Sequence, residues 1–294
     1  MEDNNELMMV PGMTHDLGGG FQIRRLLPYR KKRMVGPFIF LDHMGPVEFT
    51  PNSITDIRPH PHIGLSTLTY LYSGRMVHRD SVGSVQTILP GEVNWMTSGS
   101  GIVHSERAHQ DDYGNPIKME GLQFWVALPD DKEDGPPSFY HYDRASIPTF
   151  KDIGFNANVV VGSAFGLISP VESSSPSVFI DVTTDRKTDI PFSPEKPDFE
   201  IAIYVLKGKV TYINEVVEEG HLAICMKPMH CIFKAEADTH FIIIGGEAFP
   251  NLRYIFWNFV SSSHDKIEAA KKRWKEGKFE KVPGDDKEFI PLGD

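Results

Sequence analysis

Between residues 58 and 62 the chain reads Arg-Pro-His-Pro-His, and the two prolines restrict the backbone there. Pro59 and Pro61 each fix φ, carry no N–H and push the preceding residue toward extended conformations, so a helix through this stretch is effectively excluded. On a strand alternate side chains share a face, so His60 and His62 project together. His104-Ser-Glu106 repeats the arrangement. If the two strands face each other inside a small barrel, three imidazole nitrogens and one carboxylate oxygen surround a single point and leave room on an octahedral ion.

Close histidine pairs arise by accident in a chain with 12 His, and most are surface or hydrogen-bonded pairs. The surroundings of this pair argue otherwise. After His62 comes a β-branched and aromatic run from Gly64 to Gly74, and before His104 come Pro90-Gly91 and Gly99-Ser-Gly101. Short strands follow one another, TLTYLYS, RMVHRDS, SVQTILP and VNWMTS, separated by Gly74, Gly83 and Gly91. Histidine pair, strand, glycine, Pro-Gly, strand, histidine is the order of a cupin barrel. His78 and Asp80 share a strand face, assigned by default to solvent. Trp95 and Met96 fall to pocket wall or core, Gln123 is the polar inward candidate on its strand, and His43 reads as a hydrogen-bonded histidine outside the ligand set.

The segments RPHPHIGLSTLTYLYSGRMVHRDSVGS, PGEVNWMTSGSGIVHSERAH, GLQFWVALP and VGPFIFLDHMGP resemble the pirin family, two-domain cupins with one metal site. The tail FWNFVSSSHDKIEAAKKRWKEGKFEKVPGDDKEFIPL resembles its bacterial branch. Cupins usually place a glutamate ligand shortly after the histidine pair; Ser66 and Thr67 stand there, and Glu106 supplies the carboxylate, as in pirins. The resemblance implies His60, His62, His104 and Glu106 as ligands of Fe(II). Mn, Ni, Co, Cu or Zn suit such donors too. Two roles are implied: flavonol cleavage of the quercetin 2,3-dioxygenase type, with Glu106 as ligand and proton acceptor, or redox-sensitive binding to a protein partner.

The second half repeats the pattern, since Phe199 to Gly208 parallels Ser66 to Gly74 and Glu218 to Cys225 parallels Leu89 to Met96. Registering the glycines puts Pro194 and Lys196 in place of His60 and His62, and Phe233 and Ala235 in place of His104 and Glu106. The second barrel is therefore expected to hold no metal, and Cys225, His230 and Cys231 are too sparse for zinc. The expected fold is all-β: two tandem cupin (double-stranded β-helix) barrels with a C-terminal helix and tail, divided into 1–135, 136–260 and 261–294. The acidic stretch 130–137 is the linker candidate, and Ser263 to Gly277 reads as a capped amphipathic helix.

A formal net charge of −10 opposes binding to phosphate backbones, and the basic run Arg24 to Arg33 reads as a solvated face. Asp16-Leu-Gly-Gly-Gly20 lacks the lysine and hydroxyl of a phosphate loop. With no long apolar run, no signal-peptide core and 2 Cys, the expectations are a cytoplasmic monomer with reduced thiols and no contact with membrane or nucleic acid.

Overall fold

The computed structural model describes residues 7–16, 21–50, 56–225 and 230–293, so most of the glycine turn at Asp16 to Gly20 lies outside it. The regular structure of the chain is almost all strand, as the alternating pattern requires. Its first strands are β1 (Leu7–Pro11), β2 (Met13–Asp16), β3 (Gln22–Leu27), β4 (Phe38–Phe49), β5 (Ile57–His62), β6 (Leu65–Ser73) and β7 (Met76–Asp80). β8 (Val85–Ile88), β9 (Val93–Thr97), β10 (Ile102–Arg107), β11 (Ile117–Ala127) and β12 (Ser138–Tyr142) follow. The described residues contain one α-helix, α1 (His264–Lys275), which is neither long nor apolar enough to cross a membrane.

Two compact units, each a cupin barrel, share the chain in alternating pieces. The one that carries the histidine pair comprises Thr14–Ile23, Leu41–Arg144 and Pro250–Asp294; the other comprises Met1–Met13, Arg24–Phe40 and Ala145–Phe249. The unit boundary therefore falls inside β3 and again inside β4.

In the histidine-bearing barrel one sheet runs β12-β9-β6-β11-β4-β3-β2 and the other β5-β10-β7-β8. The acidic stretch at 130–137 is followed by β12, which pairs with β9 from Ser138 opposite Thr97 to Tyr142 opposite Val93. Gly64 turns the chain from β5 into β6 at φ +67, and a Cβ there would stand 2.0 Å from the Val260 carbonyl, so only glycine fits. The outer face of β5 and β10 is covered by α1 and the tail. Ile63 and Val103 pack with Phe259, Ile267, Ala270, Phe279 and Val282. The Ile290 N–H donates to the Pro59 carbonyl at 2.8 Å, capping a strand that is otherwise a sheet edge. Asp285 accepts from Ser105 Oγ at 2.7 Å and from Arg107 Nε at 2.9 Å.

In the second barrel β1 is the edge of a seven-stranded sheet, pairing from Leu7 opposite Cys225 to Pro11 opposite His221. Its four-stranded sheet has the order of its counterpart, with Thr188–Phe192 in the place of β5 and Cys231–Ala235 in the place of β10. Ile190 lies opposite Phe233 as His60 lies opposite His104. The counterparts of the histidine pair are thus Ile190 and Phe192, not Pro194 and Lys196. The correction has a simple cause: the connection from Phe192 to Phe199 is longer than that from His62 to Leu65, so alignment on the next glycine slips. Ile190, Phe192 and Phe233 belong to that barrel's apolar core with Ile201, Ile203 and Phe241.

Candidate metal centre

His60 and His62 project inward from β5 and His104 from β10, as strand alternation dictates, and all three are buried. Register completes the convergence, because His104 pairs directly with His60 and Ile102 with His62. One donor atom from each histidine lies within 4.8 Å of the other two. His62 Nε2 and His104 Nε2 are 3.1 Å apart, and the ring centroids of His60 and His104 are 4.4 Å apart.

Hydrogen bonds fix which nitrogen of each ring is free. His60 Nδ1 lies 2.9 Å from the Arg58 carbonyl and His62 Nδ1 3.1 Å from the Asn258 carbonyl. A carbonyl only accepts, so both Nδ1 atoms carry the proton and both Nε2 atoms present lone pairs. The Arg58 carbonyl is available because the β5–β10 register shifts between His104 and Glu106, leaving one extra residue on β5. Burial strongly disfavours charge on these rings. It lowers His60 to about 4, assisted by the nearby His78, and holds His62 and His104 well below the ordinary histidine value. Three buried imidazoles held against charge, two of them with the Nε2 lone pair fixed, are a donor set that fits a divalent first-row cation.

Glu106 lies two residues beyond His104 and is buried, but its carboxylate is not among the donor atoms of that three-histidine cluster. Its Oε1 stands 3.4 Å from Thr69 Oγ1, which in turn lies 2.9 Å from Gln123 Oε1. Burial raises the Glu106 carboxyl to about 7, and Thr69 only partly opposes this. The inward position expected for Gln123 is therefore seen.

One expectation is corrected. His78 and Asp80 do not face solvent: their side chains are buried, on the strand that pairs Glu106 with His78 and His104 with Asp80. Met76, His78 and Asp80 share the buried face of β7, and Val77 and Arg79 lie on its half-buried other face. Of the two readings open for Trp95, pocket wall or core, the core is the one seen: Trp95 and Phe124 both pair with Leu68 and so lie on the opposite face of that sheet from Thr69. The aromatic at the site is Trp125, whose ring meets His62 edge-on at 5.3 Å. His43 stays outside, 3.3 Å from Glu120.

Residues 20–126 match the family described as Pirin and residues 179–280 the Pirin C-terminal cupin domain. A pirin-like protein of Caulobacter vibrioides is 44% identical over 278 residues, 93% of this chain and 95% of its own. The crystal structure of a quercetin 2,3-dioxygenase from Acinetobacter baumannii superposes with a TM-score of 0.90 at 32% identity, over 98% of this chain and 95% of its own. The fold extends to the bacterial pirin YhhW of Escherichia coli, solved in complex with nickel(II), at a TM-score of 0.66 and 15% identity over 83% of this chain and 100% of its own.

Proposed function

The chain belongs to the pirin family, and on that premise we propose that it is an O2-dependent oxidoreductase that opens the ring of a flavonol such as quercetin at a mononuclear Fe(II). His60, His62 and His104 hold the ion through Nε2, and Glu106 is its fourth ligand. The observation that carries this reading is the convergence of three buried imidazoles, two of which have their Nδ1 atoms engaged by backbone carbonyls. The likeness to a quercetin 2,3-dioxygenase supports the choice of substrate.

Fe(II) in this pocket supplies a Lewis acid for the flavonol 3-oxygen and an electron partner for O2. The residues do the rest. Glu106 takes the proton of the 3-hydroxyl at its carboxylate, and Thr69 orients that carboxylate from the neighbouring sheet. His60 and Glu106 each retain 6% exposure against 1% for His62 and His104, so the open side of the site lies toward the first two. Trp125 closes the side at His62 and keeps water from it. Flavonol and O2 leave as the ring-opened ester and carbon monoxide.

The test is to incubate metal-loaded protein with quercetin in air and follow both absorbance loss and carbon monoxide. Turnover above that of the same metal in buffer is expected; its absence removes the dioxygenase assignment for this substrate. Metal analysis of protein purified without a histidine tag decides between iron and Mn, Ni, Co, Cu or Zn.

A further inference from the structure

We propose that His78 and Asp80 are positioning residues that fix the tautomer of His104 and so aim its lone pair at the metal. The inference rests on the metal-centre reading above.

Among the described residues His104 differs from the other two histidines in having no carbonyl to hold its Nδ1. Its Nδ1 instead lies 3.4 Å from Nδ1 of His78. Two imidazole nitrogens in contact must divide the roles of donor and acceptor, and the other end of His78 decides which takes which. His78 Nε2 lies 3.0 Å from Asp80 Oδ2. Asp80 is fully buried; burial alone would raise its carboxyl, but the bond from His78 and those from the following turn hold it below its ordinary value. Its Oδ1 accepts from the backbone N–H of Val82 at 3.0 Å and of Ser84 at 2.9 Å.

The carboxylate can only accept, so His78 carries its proton on Nε2 and offers a lone pair at Nδ1. His104 must then donate from Nδ1, and its Nε2 is left free, 3.1 Å from the free Nε2 of His62. The relay thus gives His104 the state that backbone carbonyls give His60 and His62. Phe139 stacks on the His78 ring with centroids 4.4 Å apart and planes at 15°, which holds the ring in the orientation the relay needs. Outer partners of this kind set ligand orientation and basicity in metal sites.

Asp80→Asn reverses the relay. The amide keeps its oxygen for Val82 and Ser84 and turns N–H toward His78, whose Nε2 must then accept; His78 Nδ1 donates, and His104 is forced to carry its proton on Nε2. Two readouts follow. In metal-free protein labelled with 15N-histidine, two-bond 1H–15N correlations should show His104 protonated at Nδ1, and at Nε2 in Asp80→Asn. Co(II) affinity, measured by competition with a chromophoric chelator, should fall by about 10- to 100-fold in Asp80→Asn. Adding His78→Phe to that variant removes the misdirected donor and should recover part of the loss, whereas a merely structural role predicts a further decline.

The relay is overturned if His104 keeps its Nδ1 proton in Asp80→Asn, if that variant binds Co(II) as tightly as the unaltered protein, or if the double variant binds more weakly than the single. Failure of the unaltered protein to take up Co(II) overturns the metal centre itself, and is told apart by the tautomer assignment, which needs no metal.

Discussion

His62 Nε2 faces His104 Nε2 at 3.1 Å; the Asn258 carbonyl leaves a lone pair on the first, and the proposed His78–Asp80 relay leaves one on the second. Two lone pairs at that distance repel each other in low-dielectric surroundings, and a cation between them turns the repulsion into attraction. Metal should therefore stabilise the fold as well as equip it. At a free concentration of 100 times the dissociation constant the gain is about 2.7 kcal/mol, a rise in melting temperature of several degrees by calorimetry. Equal melting of chelator-treated and metal-loaded protein would count against a centre at this position.

Replacing His62 by alanine removes one donor from a closed set and should lower metal affinity by more than about 100-fold. Flavonol turnover should fall to that of free metal. Bound metal per chain, determined after gel filtration, checks the first claim independently of the second. The matching change of Phe192 to alanine in the other barrel should cost about 3–5 kcal/mol of stability and leave metal content unchanged.

The histidines set an acid limit on the metal-free protein. The unfolded chain takes up protons near the ordinary value of 6.5, whereas folded His60 resists down to about 4 and His62 and His104 resist further. Their contribution to stability is thus complete above pH 6.5 and is lost as pH falls toward 4. Urea midpoints should drop between pH 7 and pH 5, and a flat profile would contradict the burial of these rings.

Glu106 works in the opposite sense. Its folded value of about 7 lies above the ordinary 4.5, so the folded chain retains a proton that the unfolded chain releases, and the benefit is present below pH 4.5 and lost as pH rises through 7. Glu106→Gln should stabilise metal-free protein at pH 8 by on the order of 2–3 kcal/mol and leave it unchanged at pH 4.5. The same substitution should weaken metal binding, so the two effects carry opposite signs in one variant.

Asp285→Ala cuts the tail from β10. It removes the bonds to Ser105 and Arg107 and leaves Arg107 with Asp56 and Glu288. The expected loss is about 2 kcal/mol, read from urea unfolding, while the neighbouring Asp286→Ala should shift stability by less than about 0.5 kcal/mol. Equal effects from the two changes would mean that the tail is held by its apolar residues alone.

The sequence made the centre legible where local rules sufficed. Proline-forced extension and a period of two put His60 and His62 on one face, and the same period aligned His104 with Glu106. His78 and Asp80 escaped because alternation says only that they share a face, and the face is chosen by pairing with β10. Trp95 and Trp125 were exchanged as candidate neighbours of the site for the same reason: each sits on a convincing strand, and only the cross-strand register separates the face of Thr69 from the face of Leu68. The two-barrel fold was readable from the repeated glycines, but the register of the copy was not, since the connection before Phe199 lengthened without leaving a mark.

The assignment of β1 to the second barrel, and of Pro250–Asp294 to the first, bears on the order in which the molecule is made. On the ribosome the histidines emerge early, yet the helix and tail that back their strands are translated only after the last strand of the other barrel. The barrel without them already has all its strands once Phe249 has left the tunnel. The younger half of the polypeptide therefore has the opportunity to mature first, and the histidine-bearing half waits, with its histidine strands unbacked, until the helix and tail have been made.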